Sequence, residues 1–258
     1  MIRAARVARG AAGVAVLLIA AELAGRTGLV DPSMVPLMST VLARAAGLVA
    51  DQQFLADVWG TLIVWAAGLL LAVAIAVPLG MLLGSLPRAE TATRPLVEFL
   101  RPIPSVALLP LITLLIPDDS AIKITAVVYA AAWPLLINTM YGLRDVDPIA
   151  KETLRSFGFG RFAVLARVSL PSAAPFVLTG VRLAAAVGLI VAVSAELITG
   201  GTAGLGAFMI RAGAGFRTDL VLAATLWAGV LGLVANALLL KLQRRAFRWH
   251  AATSGEVS

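Results

Sequence analysis

The chain has 258 residues, 60% hydrophobic and 14% charged, with 21 Lys and Arg against 14 Asp and Glu for a net charge of +7. Soluble domains average about half apolar and a quarter charged, so this composition excludes an ordinary soluble globular protein and points to a bilayer. The basic residues fall in short loops between apolar runs, which excludes a nucleic-acid surface, and the absence of cysteine excludes disulfides and thiolate metal sites.

At roughly 20 residues per span, the length suits one all-α membrane domain of about five to seven helices over residues 1–258. Residues 1–10 carry Arg3, Arg6 and Arg9, and the apolar run Ala11–Ala24 follows, with Glu22 near its far end. A cleaved signal peptide is one reading of this start; the one adopted is a first transmembrane helix reaching about Val30. Asp31-Pro32 and Pro36 then punctuate the chain, and Val35–Val49 predicts an amphipathic helix on the outer membrane surface.

A second span, Val58 to Gly84, contains Pro78, which predicts a kink, and the pair Gly80 and Gly84, which fits either a packing seam or a gate. A basic loop with Arg88, Arg94 and Arg101 leads to a third span from about Pro102 to Ile116. Pro102, Pro104 and Pro110 cannot all occupy a regular helix. The entry is therefore expected to be broken, with its freed backbone groups met by neighbouring helices or facing a cavity. Pro117-Asp118-Asp119 makes an outer turn before a fourth span, Ala121–Met140, that holds Trp133 and Pro134.

Asp147–Pro171, DPIAKETLRSFGFGRFAVLARVSLP, is the long polar interruption of the chain. Asp147-Pro148 predicts a helix start, with helix from Ile149 to Phe157. Gly158 and Gly160 break it, and a second helix is expected from Phe162 to Leu170, ending at Pro171. Glu152 and Gly158 stand six apart, and Val168, Leu170 and Pro171 follow in a fixed register.

These positions resemble the cytoplasmic coupling loop of ABC importer permeases, whose signature is Glu-Ala-Ala, three residues, Gly, nine residues, Ile, one residue, Leu-Pro. Thr153 and Leu154 replace the two alanines, and Val168 replaces the isoleucine. Arg101–Ile112 (RPIPSVALLPLI), Ala195–Leu197 (AEL) and the Arg-Trp-His ending at His250 resemble the nitrate, sulfonate and taurine branch. The resemblance covers about residues 55–250. It implies the type I importer permease fold, a second copy of the chain, two ATPase subunits that carry ATP and Mg, and an external substrate-binding protein. Within the loop it implies a helix docked in a groove of the ATPase. Glu152 and Arg155, at i and i+3, share a face, and Phe157 and Phe159 offer apolar anchors; the bland alternative is a pair of solvated loop charges.

A fifth span, Ala173 to about Leu197, holds Arg182 and ends near Glu196. Arg182 fits snorkelling, pairing with a backbone carbonyl, or contact with an anionic substrate. Glu196 fits a gate or a cap on local backbone amides; a carboxylate would repel an anion, which disfavours direct binding. The glycine-rich stretch 198–218 predicts a short outer helix or re-entrant turn, and a sixth span, Leu220–Leu240, gives way to Lys241, Arg244, Arg245 and Arg248. With six spans and both termini inside, fifteen Lys and Arg lie in inner segments and five in outer ones, which puts the Asp147–Pro171 loop in the cytoplasm.

Enzyme classes fit poorly. No phosphate-binding loop is present, because none of Lys123, Lys151 and Lys241 follows a glycine, so ATP hydrolysis is expected on another chain. The only histidine, His250, lies beyond the last span, which argues against an intramembrane serine protease, and Glu22 and Glu196 as the membrane acids make no metal cluster. A stand-alone secondary transporter or channel is the remaining alternative, and it leaves the polar loop unexplained. The expected setting is a multi-pass protein of a bacterial inner membrane, with Pro102, Pro104, Trp133, Pro134, Arg182 and Glu196 as candidates for the path or gate.

Overall fold

The computed structural model describes residues 2–29, 31 and 35–246; Val30, Pro32, Arg248 and the Arg-Trp-His ending lie outside the described residues. All regular structure among the described residues is helical. In chain order the helices are α1 (Ile2–Arg26), α2 (Met38–Leu48), α3 (Gln52–Ser85), α4 (Pro87–Leu100), a 3-10 turn (Ser105–Leu108), α5 (Leu109–Leu115) and α6 (Asp119–Arg144). Then come α7 (Pro148–Ser156), α8 (Arg161–Val164), a π-turn (Leu165–Ser169), α9 (Leu170–Thr199), α10 (Leu205–Ala214) and α11 (Thr218–Ala246).

Among the described residues, four helices are long and apolar enough to cross a bilayer by themselves: α3, α6, α11 and the 39-residue helix Arg161–Thr199. A fifth crossing exists if the pair Pro87–Leu100 and Ser105–Leu115, bent by 80°, is taken together. The expected third span, about Pro102 to Ile116 with a broken entry, is the second arm of this bent pair, and α4 is the first. Residues 85–101 are corrected: they form α4, not a loop, because Pro87 starts the helix at its first position and the next ten residues contain no glycine. The expected amphipathic helix within Val35–Val49 is α2.

The chain divides into two compact units. The first comprises residues 1–60 and 200–230. Its core is aromatic: Phe54 is buried edge-on against Phe208 at 5.1 Å and lies 6.3 Å from Trp227. The Trp227 indole donates to the Ala45 carbonyl of α2 at 2.8 Å, and Arg44 pairs with Asp219 at 2.8 Å. Asp57, in the second turn of α3, is fully buried; it accepts from the Gly204 amide at 3.1 Å and from the Arg211 guanidinium at 2.5 Å. It joins Glu22 and Glu196 as an acid within an apolar helix, because α3 begins six residues before the expected span.

The second unit comprises residues 61–199 and 231–258, and the α6–α9 pair is its centre. Small residues line the seam. A Cβ on Gly142 would lie 2.7 Å from Phe176 Cβ, and one on Gly180 would lie 3.0 Å from Asn138 Cβ. The same device joins α3 to α6: a Cβ on Gly68 would meet Val127 at 2.6 Å, and one on Gly80 would meet Thr139 at 2.8 Å. Gly80 and Gly84 therefore serve packing, the seam reading of the pair, since both face α6. With Ala131, Ala184 and Ala185 fully or almost fully buried between them, the helix backbones approach closely and gain dispersion contacts rather than hydrophobic ones.

Candidate functional site

Outside the long apolar helices, the second unit carries a helical loop, residues 145–169, between α6 and α9. Its first helix forms where the sequence predicts. The Asp147 side chain accepts from the Ile149 amide at 2.8 Å and Pro148 takes the first helical position, so two of the usual orphan donors are dealt with. The helix stops in a Schellman cap: the Gly158 amide bonds to Arg155 O at 2.9 Å and the Phe159 amide to Leu154 O at 3.1 Å. Gly158 has φ +83°, the left-handed conformation that such a cap requires and that glycine adopts without steric cost.

The second helix departs from expectation. It starts at Arg161 and does not end at Pro171; it continues through the π-turn into α9 as one helix to Thr199. Proline lacks an amide hydrogen, and its ring clashes with the carbonyl four residues back. The widened turn resolves both: the Leu170 amide reaches Leu165 O, five residues back, and Pro171 follows where no donor is needed. Val168 and Leu170 are half-buried, while Pro171 faces outward.

Two faces of α7 are distinct. Ala150, Lys151 and Leu154 are half-buried, whereas Ile149, Glu152, Thr153 and Arg155 are exposed. Glu152 and Arg155 therefore share the free face, with Phe157 77% exposed beside them. Phe159 differs from Phe157: the Arg167 guanidinium lies over its ring at 4.7 Å, leaving 37% of it exposed. One face of the Phe159 ring is thus covered from within the loop, and the rest stays exposed. Phe162, 88% exposed, and Ile149, 71% exposed, are two further free apolar side chains on this loop that the sequence expectation did not include. Their signal in the sequence was available: large apolar residues at the starts of two short helices in an otherwise polar stretch.

The candidate path residues do not form one cluster. Pro102 and Pro104 lie in the corner between α4 and the 3-10 turn. The Tyr129 hydroxyl, which the sequence reading passed over, donates to Leu100 O at 2.6 Å, and the Ile103 amide bonds to the same carbonyl at 3.2 Å. The break is thus satisfied by a neighbouring helix, one of its two expected solutions. Trp133 packs edge-on to Tyr129 at 5.7 Å, and its buried indole N–H has no acceptor among the described residues. Pro134 lies inside α6, its carbonyl accepting from Asn138 at 2.8 Å. Arg182 is half-buried on α9. Glu196 is fully buried near the end of α9 and accepts from Thr61 of α3 at 3.0 Å, so its carboxylate is engaged between helices. Lys123 is buried in α6 with its ammonium on Asp119 at 2.6 Å.

Long apolar helices packed on small-residue seams, interrupted by a capped helical loop, define a helical membrane-embedded protein. Residues 76–248 match the family of binding-protein-dependent transport system inner membrane components, and the chain belongs to that family. It is 31% identical to the taurine transport system permease TauC of Escherichia coli strain K12, over 92% of this chain and 88% of that one. Identity to the putative aliphatic sulfonates transport permease SsuC of Bacillus subtilis strain 168 is 27%, over 93% and 87%. The fold is similar to a chain of the MetNI methionine ABC transporter solved in inward-facing conformations, with TM-score 0.63 over 73% of this chain and 94% of that one at 17% identity. The protein is accordingly an ABC importer permease, a non-enzymatic multi-pass subunit that works with ATPase and substrate-binding partners.

Proposed function

We propose that α7 is the element through which a separate ATPase subunit drives this permease, and that the cargo is a small organic sulfonate or a comparable anion. The observation that carries the reading is the free face of α7: Glu152, Thr153 and Arg155 exposed together, flanked by exposed Ile149, Phe157 and Phe162. Exposed aromatic anchors beside a charged pair are the composition of a protein docking site. Residues 157–160 join α7 to a helix that continues for 39 residues through the apolar part of the chain, so the loop is connected to a span on its far side.

Two copies of the permease assemble with two ATPase subunits, which hold ATP and Mg; this chain binds no cofactor of its own. Both termini and the loop lie in the cytoplasm, in keeping with the bias of Lys and Arg. Closure of the ATPase dimer moves the two α7 helices, and the helices around the Pro102–Pro104 corner and Pro171 rock to change which side is open. Pro102, Pro104, Trp133, Pro134, Arg182 and Glu196 belong to the path or its gate. The reading of the cargo is supported by the chain's similarity to taurine and aliphatic sulfonate permeases. Glu152→Lys, which reverses a docking charge, and Gly158→Asp, which strains the cap, abolish uptake in vesicles carrying the assembled importer while membrane insertion stays normal. Normal uptake by both variants would remove α7 from the coupling role.

A further inference from the structure

α7 hangs between two short linkers. Residues 145–147 separate it from α6, and residues 157–160, with Gly158 at φ +83°, separate it from α8. A helix attached only through such joints swings on them when pushed, and the displacement dies in the linkers.

Besides the packing of half-buried Ala150 and Leu154, two polar contacts restrain that freedom. The Lys151 ammonium donates to the Leu143 carbonyl at 3.1 Å, eight residues back. Leu143 lies in the last turn of α6, where carbonyls have no partner in the helix and the helix dipole concentrates negative charge, so a cation there is held by both effects. Leu143 is not at a frayed end: its side chain is buried, and a Cβ on Gly84 of α3 would lie 3.1 Å from Leu143 Cδ1. Lys151 is half-buried, whereas Glu152 and Thr153 are exposed, so its ammonium is spent on Leu143 O rather than on the free face. At the far joint, the Arg167 guanidinium over Phe159 ties the glycine linker to the π-turn.

We propose that Lys151 is a positioning residue for transport, a brace that makes α7 and α6 move as one body and delivers displacement of α7 to the α6–α9 seam. This rests on the reading of α7 as the ATPase-docking helix. The test uses the assembled importer in lipid vesicles, with its ATPase subunits and loaded binding protein, and compares Lys151→Met with Lys151→Arg. Methionine keeps an apolar stem without the donor, and arginine restores a donor. Both variants retain the ATPase and hydrolyse ATP, but solute taken up per ATP falls about tenfold in Lys151→Met and recovers in Lys151→Arg, as expected for loss of one charged hydrogen bond. Separately, spin labels on Tyr141→Cys and Ser156→Cys, in a chain with no other cysteine, keep one separation with and without ATP.

Unchanged uptake per ATP in Lys151→Met, no recovery in Lys151→Arg, or a label separation that changes with ATP would each overturn the brace. Loss of the ATPase from Lys151→Met alone would make Lys151 part of the dock and overturn it too. Failure of the unsubstituted permease to retain the ATPase would overturn the docking reading itself.

Discussion

Gly158 and Phe216 occupy the same position in the same kind of helix cap, and the comparison isolates what one side chain does. In both caps the residue after the last turn takes a left-handed conformation, φ +83° at Gly158 and +55° at Phe216. The Phe216 amide bonds to Gly213 O at 2.9 Å and the Arg217 amide to Ala212 O at 2.9 Å, the pattern seen at Gly158. Glycine accepts this conformation freely, whereas a Cβ raises its energy by about 1–2 kcal/mol. Phe216 is 93% exposed, so no packing offsets the strain. Phe216→Gly should therefore stabilise the purified protein by about 1 kcal/mol, read as a higher thermal unfolding midpoint in detergent. No rise in midpoint would mean that the turn is not strained. At Gly158 a Cβ meets nothing within 4 Å, so the cost of substitution there is a backbone cost alone.

Among the elements, the helix Arg161–Thr199 has the clearest mechanical meaning. A regular α-helix through Pro171 would leave the Arg167 carbonyl facing a ring instead of a donor; the π-turn avoids this by adding one residue to the turn. Pro171→Ala supplies the missing N–H and lets the turn close to α-helical register, which would rotate everything before it by about 100° relative to the span. The expected outcome is normal insertion with most ATP-driven uptake lost, measured in vesicles of the assembled importer. Uptake at the unsubstituted level would show that the π-turn does not depend on Pro171. The broken third span follows the same logic in reverse. With three prolines in nine residues the helix does end, and Tyr129 meets the carbonyl that the break frees.

At the scale of the whole molecule, the reading of an importer permease requires the α7 loop and the α10–α11 turn to lie on opposite sides of the membrane. The chain contains no cysteine, so single-cysteine variants carry no background. An impermeant thiol reagent added outside intact cells should label Phe216→Cys and leave Arg155→Cys unlabelled until the membrane is opened. Labelling of Arg155→Cys in sealed cells would overturn the orientation, and with it the docking of an ATPase on α7.

Composition and periodicity determined that this is a helical membrane protein, because apolar runs of span length have no other solution in a bilayer, where every backbone group must be satisfied within the protein. Local signals determined the start of α7 and its glycine stop, since capping is chemistry between residues two to five apart. Proline was legible as a disturbance but not as an outcome. Pro102 and Pro104 break their helix while Pro171 is absorbed, and the difference is the π-turn and the interhelical hydrogen bond from Tyr129. The partners of Lys151, Phe159, Asp57 and Gly80 were also decided only by the tertiary structure. Their partners stand 8 residues away for Lys151 and 8 for Phe159, but 154 for Asp57 and 59 for Gly80, and contacts of that kind exist only once helices have packed.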